Sequence, residues 1–288
     1  MEESLSSTVG PVGTPWTFFA ATFAITWGCW LAAIALDVGF DSPLGLALLF
    51  LGLVGPGAAG IGFVYLVYDE PGRRDFWNRI VQVGRIDRRW LLAILLLPVA
   101  VDVTAAVTEL LLGGTSAELG AWVGEFWRNP VVVLPTLFFA TLPPLLEELG
   151  WRGYALDRLQ LGRSALVSSV ILGVVWARWH LPLFFIEGSY QHDAVGFNTL
   201  EFWLFMLGLV PVSVFITWVY NNTGRSILGA IVVHGWMNLT LQTVELSGRA
   251  EVMHISLWVV VAVVLVLTWG GAALRRDGVV PHPPGRGG

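Results

Sequence analysis

Residues 147–152 read Glu147-Glu148-Leu149-Gly150-Trp151-Arg152. These three charges stand in a chain that is 13% charged and 55% hydrophobic. Two further polar islands follow, Trp176-Ala177-Arg178-Trp179-His180 and His234-Gly235-Trp236-Met237-Asn238. An ionisable side chain at the centre of a membrane helix costs roughly 2.5–3.5 kcal/mol on insertion scales, so its retention is by default a sign of function.

On a helix, residues four apart share a face. Glu148 and Arg152 can therefore pair, which neutralises one carboxylate. Glu147 is turned about 100° away and is left for other work. A glutamate in apolar surroundings beside a second carboxylate is the general-base type that operates near neutral pH. His234 and Asn238 also share a face, and an imidazole with an amide can hold a developing oxyanion. His180 precedes Leu181-Pro182, which is expected to end or kink its helix. Trp176, one turn earlier, can wall the pocket. A lone histidine or asparagine in an apolar helix is more often packing or interhelical glue, and a Glu–Arg pair alone can be structural. Here the groups fall in three separate spans while most other spans lack ionisable residues, and that coincidence favours one shared site.

The elements that must position these groups are apolar runs along the whole of the 288 residues. Eight are long enough to cross a hydrocarbon core as helices, at about 15–36, 44–68, 90–112, 130–148, 164–182, 202–220, 226–244 and 254–274. The expected fold is an all-α polytopic bundle with an intramembrane cavity. The runs are continuous, not alternating, which excludes a β-barrel. One membrane domain is expected over 15–276, with a cytoplasmic segment at 1–14 and a disordered Pro- and Gly-rich tail at 277–288. The first apolar run is too long for a signal-peptide core and reads as a retained helix. Pro143-Pro144 is expected to kink or break the fourth helix.

All sixteen basic residues are Arg, and the net charge is −5. No basic patch suggests nucleic acid, and the single Cys29 leaves the redox compartment open. Arg73, Arg74, Arg79, Arg85, Arg88 and Arg89 lie in the 69–89 connection; Arg152, Arg158, Arg163, Arg225, Arg275, Arg276 and Arg286 fall on the same side. Only Arg128 and Arg249 lie opposite. The positive-inside rule then places both termini in the cytoplasm. Phe76, Trp77 and Ile80 among those arginines suggest an amphipathic helix at the cytoplasmic interface, serving topology and anchoring. Asp102 and Glu109, seven apart on one face, are expected to line a cavity or to accept Arg178. His192 and His254 look incidental, and the sequon Asn221-Asn222-Thr223 falls in a short turn on the cytoplasmic side.

The three islands, in order on three spans, resemble the CPBP family of intramembrane proteases, which includes type II CAAX prenyl endopeptidases. Glu147-Glu148-x-x-x-Arg152 matches the motif EExxxR, His180-Leu181-Pro182 the end of FxxxH, and His234-x-x-x-Asn238 the motif HxxxN. The motif core runs from Leu145 to Asn238. Trp176 departs from the usual Phe, which keeps an aromatic wall and narrows the pocket. The resemblance implies an endopeptidase acting on a membrane-embedded or lipidated protein. In it, Glu147 and His180 activate a water, His234 and Asn238 stabilise the oxyanion, and Glu148 with Arg152 holds the site together. It permits no cofactor, or zinc held by Glu147, His180 and His234 as a His₂Glu set. A non-catalytic immunity or assembly factor that keeps the fold is the competing reading, and a proton-coupled carrier a third.

Sequence depth raises one tension. Glu147 falls near the cytoplasmic end of its run, and His180 near the far end of the next. The fourth helix is therefore expected to extend past Arg152 towards Arg158.

Overall fold

The computed structural model describes residues 13–114, 127–242 and 248–283, and among these every regular element is helical. Helices α1 (Pro15–Ala35), α2 (Pro43–Leu53), α3 (Gly55–Val67), α4 (Glu70–Val81) and α5 (Arg88–Leu111) come first. Then come α6 (Val133–Gly150), α7 (Leu156–Gln160), α8 (Ala165–Trp179), α9 (Leu200–Asn222), α10 (Ile227–Gln242) and α11 (Gly248–Trp269). Most of the expected 1–14 segment and the last residues of the tail lie outside the described residues.

The starts of these helices are written locally. Thr14, Ser42, Asp69, Asp87, Ser164 and Thr199 each accept a backbone N–H of the first turn, the standard N-cap arrangement. Proline follows at the first turn of α1, α2 and α4, where a missing N–H costs nothing.

Among the described residues, seven spans are long and apolar enough to cross a membrane: Pro15–Ala35, Pro43–Val67, Arg88–Leu111, Pro130–Gln160, Ala165–Phe185, Leu200–Asn222 and Arg249–Trp269. The eighth expected span is the shorter apolar helix Ile227–Leu241, which carries His234 and Asn238. A polytopic helical bundle is therefore what this sequence folds into. The second span is broken once, at Val54 before Gly55-Pro56, where α2 gives way to α3.

The fourth helix differs from expectation in one respect and agrees in another. It runs unbroken through Pro143 and Pro144. Irregularity appears instead one turn after the glutamates, as a π-helical turn over Trp151–Ala155, from which α7 continues to Gln160. Single π-turns of this kind gather at functional sites. The extension removes the depth tension. Glu147 and His180 each lie about 20 Å of helix from the shared α7–α8 turn.

Helix α6 is the axis of the site. Helices α3 and α10 both pack along it, α9 packs on α8 and α11, and α5 on α10 and α11. Two close approaches use the absence of a side chain. A Cβ at Gly60 would lie 2.7 Å from Leu149 O and from Gly150 Cα, and one at Gly235 would lie 2.9 Å from Ala140 O. Small residues let membrane helices meet backbone to backbone in this way. The Ala140 carbonyl is also the one that Pro144, lacking an N–H, leaves unpaired.

Around this axis the core is aromatic. Trp151 is buried between Phe18 and Trp179, edge-on to both, at 5.8 and 6.1 Å.

Candidate active site

Glu148 on α6 and Arg152 in the π-turn are fully buried and paired, Nη1 to Oε1, at 2.8 Å. Arg152 Nη2 donates to Ser213 Oγ on α9 at 3.2 Å. The same Glu148 oxygen also takes His234 Nδ1 from α10 at 2.9 Å, a contact that helical spacing could not supply. Glu148 thus joins α6 to α10, and its arginine joins both to α9.

Glu147 makes a different bond. Trp176 Nε1 on α8 donates to its Oε2 at 2.6 Å. The indole is the hub of the cluster: the Arg152 guanidinium lies 5.3 Å over its ring, His234 meets it edge-on at 5.0 Å, and His180 tilts against it at 6.0 Å. The sealed pair differs from its neighbours in access. Glu148 and Arg152 show no exposure, whereas Glu147, His180 and His234 keep 4%, 8% and 6%.

Both imidazoles are held through the same nitrogen. His180 caps the C-terminus of α8, and its Nδ1 lies 2.9 Å from the Trp176 carbonyl. A carbonyl only accepts, so Nδ1 carries the proton and Nε2 keeps a lone pair. The bond also satisfies one of the orphan carbonyls at a helix end. His234 Nδ1 faces the Glu148 carboxylate, and the same argument fixes its tautomer. A neutral His234 therefore offers an acceptor at Nε2. It becomes a donor there only as imidazolium, with Glu148 as counter-charge.

Asn238 lies one turn beyond His234 on α10, half-buried, and its side chain makes no hydrogen bond to any described residue. The structure thus brings together Glu147, Glu148, Arg152, Trp176, His180 and His234, and sets Asn238 on the helix face of His234 without a side-chain partner among the described residues.

Among the described residues no group of three or more His, Cys, Asp or Glu is placed to hold a metal ion.

Other expectations change. Arg178 is exposed, and Asp102 and Glu109 do not accept it. Asp102 pairs instead with His254 at 2.9 Å, so that histidine is not incidental. The same Nε2 lies 3.0 Å from the Trp258 indole nitrogen, and it serves one of these two neighbours at a time, donating to Asp102 when protonated and accepting from Trp258 when not. Glu109 faces Arg249 at 3.8 Å. These pairs join α5 to α11, and burial of Asp102 against another helix is what demands the partner. Asn221 is fully buried and bonded to Gln160 and Ala273 O, so the sequon cannot carry a glycan.

One network escaped the sequence. Arg79 of the amphipathic helix α4 is fully buried, donating to Asp157, to the Tyr220 hydroxyl and to the π-turn carbonyl of Gly153. Arg225 joins the same Asp157 at 2.5 Å and Asp75 at 3.0 Å. The only advance signal was Asp157 itself, an acid beside an apolar run.

Residues 129–240 match the family described as Rce1-like, type II CAAX prenyl endopeptidase. A curated protein of Methanococcus maripaludis, named CAAX prenyl protease 2, is 27% identical over 254 residues, spanning 88% of this chain and 93% of that protein. The resemblance carried by the three motifs is therefore borne out: residues 129–240 match the Rce1-like CAAX prenyl endopeptidase family, and over most of its length the chain is similar to a CAAX prenyl protease.

Proposed function

We propose that the chain is an intramembrane endopeptidase that hydrolyses a peptide bond near a lipid-modified, CAAX-like end of a membrane-associated protein. The supporting observation is the convergence of Glu147, His180 and His234 on Trp176 beside a sealed Glu148–Arg152 pair. In this reading Glu147, with the His180 Nε2 lone pair, takes a proton from water as the oxygen attacks the scissile carbonyl carbon. The carbonyl oxygen becomes an oxyanion, held by the Asn238 amide and by His234, whose Nε2 first takes up a proton from solvent. The C–N bond then breaks, and the captured proton passes to the leaving amine. No step is routed through a metal.

The substrate is presented from the bilayer, and both termini face the cytoplasm, as the arginine distribution favours. The test is cleavage of a farnesylated CAAX peptide reporter by the detergent-purified protein, wild type against Glu147→Ala, with and without a chelator. Cleavage by wild type alone, indifferent to chelation, is expected. Unchanged cleavage by Glu147→Ala would remove the glutamate from its role, and loss on chelation would restore zinc.

A further inference from the structure

We propose that Trp176 is a positioning residue for the general base, its indole N–H fixing one oxygen of the Glu147 carboxylate so that the other is left for water. The inference rests on the reading of Glu147 as the base, and it stands on contacts specific to this side chain.

The first is the bond itself, 2.6 Å from Nε1 to Oε2, between a tryptophan 2% exposed and a glutamate 4% exposed. A carboxylate on a flexible stem, buried among apolar groups, has many wrong orientations. A single short donor removes most of them. The second is what the site withholds. Arg152 spends its two terminal nitrogens on Glu148 and Ser213. Glu147 therefore receives a neutral donor, which orients it and leaves its charge for proton abstraction. A guanidinium in that place would have neutralised it.

The third is the clamp on the indole. The Arg152 cation sits over the ring face, where it draws electron density from the π-system and makes the N–H a stronger donor. His234 and His180 pack on the same ring, so the indole cannot swing away. The main chain of Trp176 adds a second function, since its carbonyl fixes the His180 tautomer. One residue thus sets the orientation of both groups assigned to water activation. Phenylalanine, usual at this position in the motif the chain resembles, would keep the wall and forfeit the donor.

The test is the steady-state kinetics of Trp176→Phe on the farnesylated reporter, with thermal unfolding recorded in parallel. A hydrogen bond to a charged group converts to roughly a ten- to hundredfold effect. The expected result is a fall in kcat of that size at unchanged KM and wild-type stability. Replacement of Trp176 by 3-benzothienylalanine, in which sulfur stands for the N–H in the same ring shape, should reproduce the fall even where phenylalanine disturbs folding. Wild-type kcat in the benzothienyl variant overturns the proposal, as does a joint loss of kcat, KM and stability in it, which marks packing alone. If Glu147→Ala cleaves like wild type, the assignment of the base fails first and the positioning role falls with it; an inactive Glu147→Ala beside a fully active benzothienyl variant rejects the positioning role only.

Discussion

His234 Nδ1 lies 2.9 Å from Glu148 Oε1, across 86 residues of sequence, on the oxygen that also holds Arg152. The second glutamate of the motif is thus shared between a guanidinium and an imidazole. Replacing it with glutamine removes the carboxylate that pairs with the buried Arg152. Glu148→Gln should lose about 3–5 kcal/mol of stability, read from chemical unfolding in detergent. A variant of wild-type stability with only kcat reduced would contradict the structural assignment.

The neighbouring glutamate should behave in the opposite way. Glu147→Gln keeps an oxygen that can accept the Trp176 indole and breaks no ion pair. Its melting temperature should stay near wild type while kcat on the farnesylated reporter falls by about 10²–10⁴. Kinetics and unfolding on the same preparations separate the two carboxylates.

Gly60 offers a steric test with its own control. A Cβ there would meet Leu149 O and Gly150 Cα at 2.7 Å, beside the glutamates, whereas a Cβ at Gly62, two residues on, would meet nothing within 4 Å. Gly60→Val should therefore push α3 off α6 and lower both stability and cleavage. Gly62→Val should leave both near wild type, and equal damage from the two would refute the close-packing argument.

Asp157 is the fully buried acid that anchors Arg79 and Arg225, which share the partly buried Asp75 as a second partner at 3.0 Å. Asp157→Ala should cost about 3–5 kcal/mol and loosen α4, detected as faster limited proteolysis within residues 70–81. If that segment stays as resistant as in wild type, Arg79 does not depend on Asp157 for its place.

The pair of Asp102 and His254 stands apart from the motif helices, linking α5 to α11. Asp102→Asn should lower the unfolding midpoint yet leave kcat per folded enzyme within about twofold, since uncoupled sites act additively. A selective loss of kcat would instead tie the pair to catalysis.

What could be read from residues alone follows the range of the interaction. The Glu148–Arg152 pair is a four-residue helical contact, and the sequence carries it plainly. The apolar runs likewise announce the spans, because length against bilayer thickness is a local property. The extension of the fourth helix was legible only indirectly, as a mismatch in depth between Glu147 and His180. His234 on Glu148 and Arg79 on Asp157 join residues 86 and 78 apart, and no periodicity encodes such partners. The unbroken helix through Pro143-Pro144 escaped for another reason. Proline's local penalty was overridden by packing, with Gly235 of α10 lying close against the Ala140 carbonyl that Pro144 leaves free.

Both imidazoles being tied through Nδ1 has a consequence for the order of events. Counted as hydrogens, the neutral pocket is in deficit. With Glu147 ionised it presents lone pairs at one carboxylate oxygen and at two ring nitrogens, against the single amide of Asn238. A carbonyl brings no hydrogen to such a place, but water brings two. The reactant that suits the resting pocket is water, and the peptide bond is met by a nucleophile already seated.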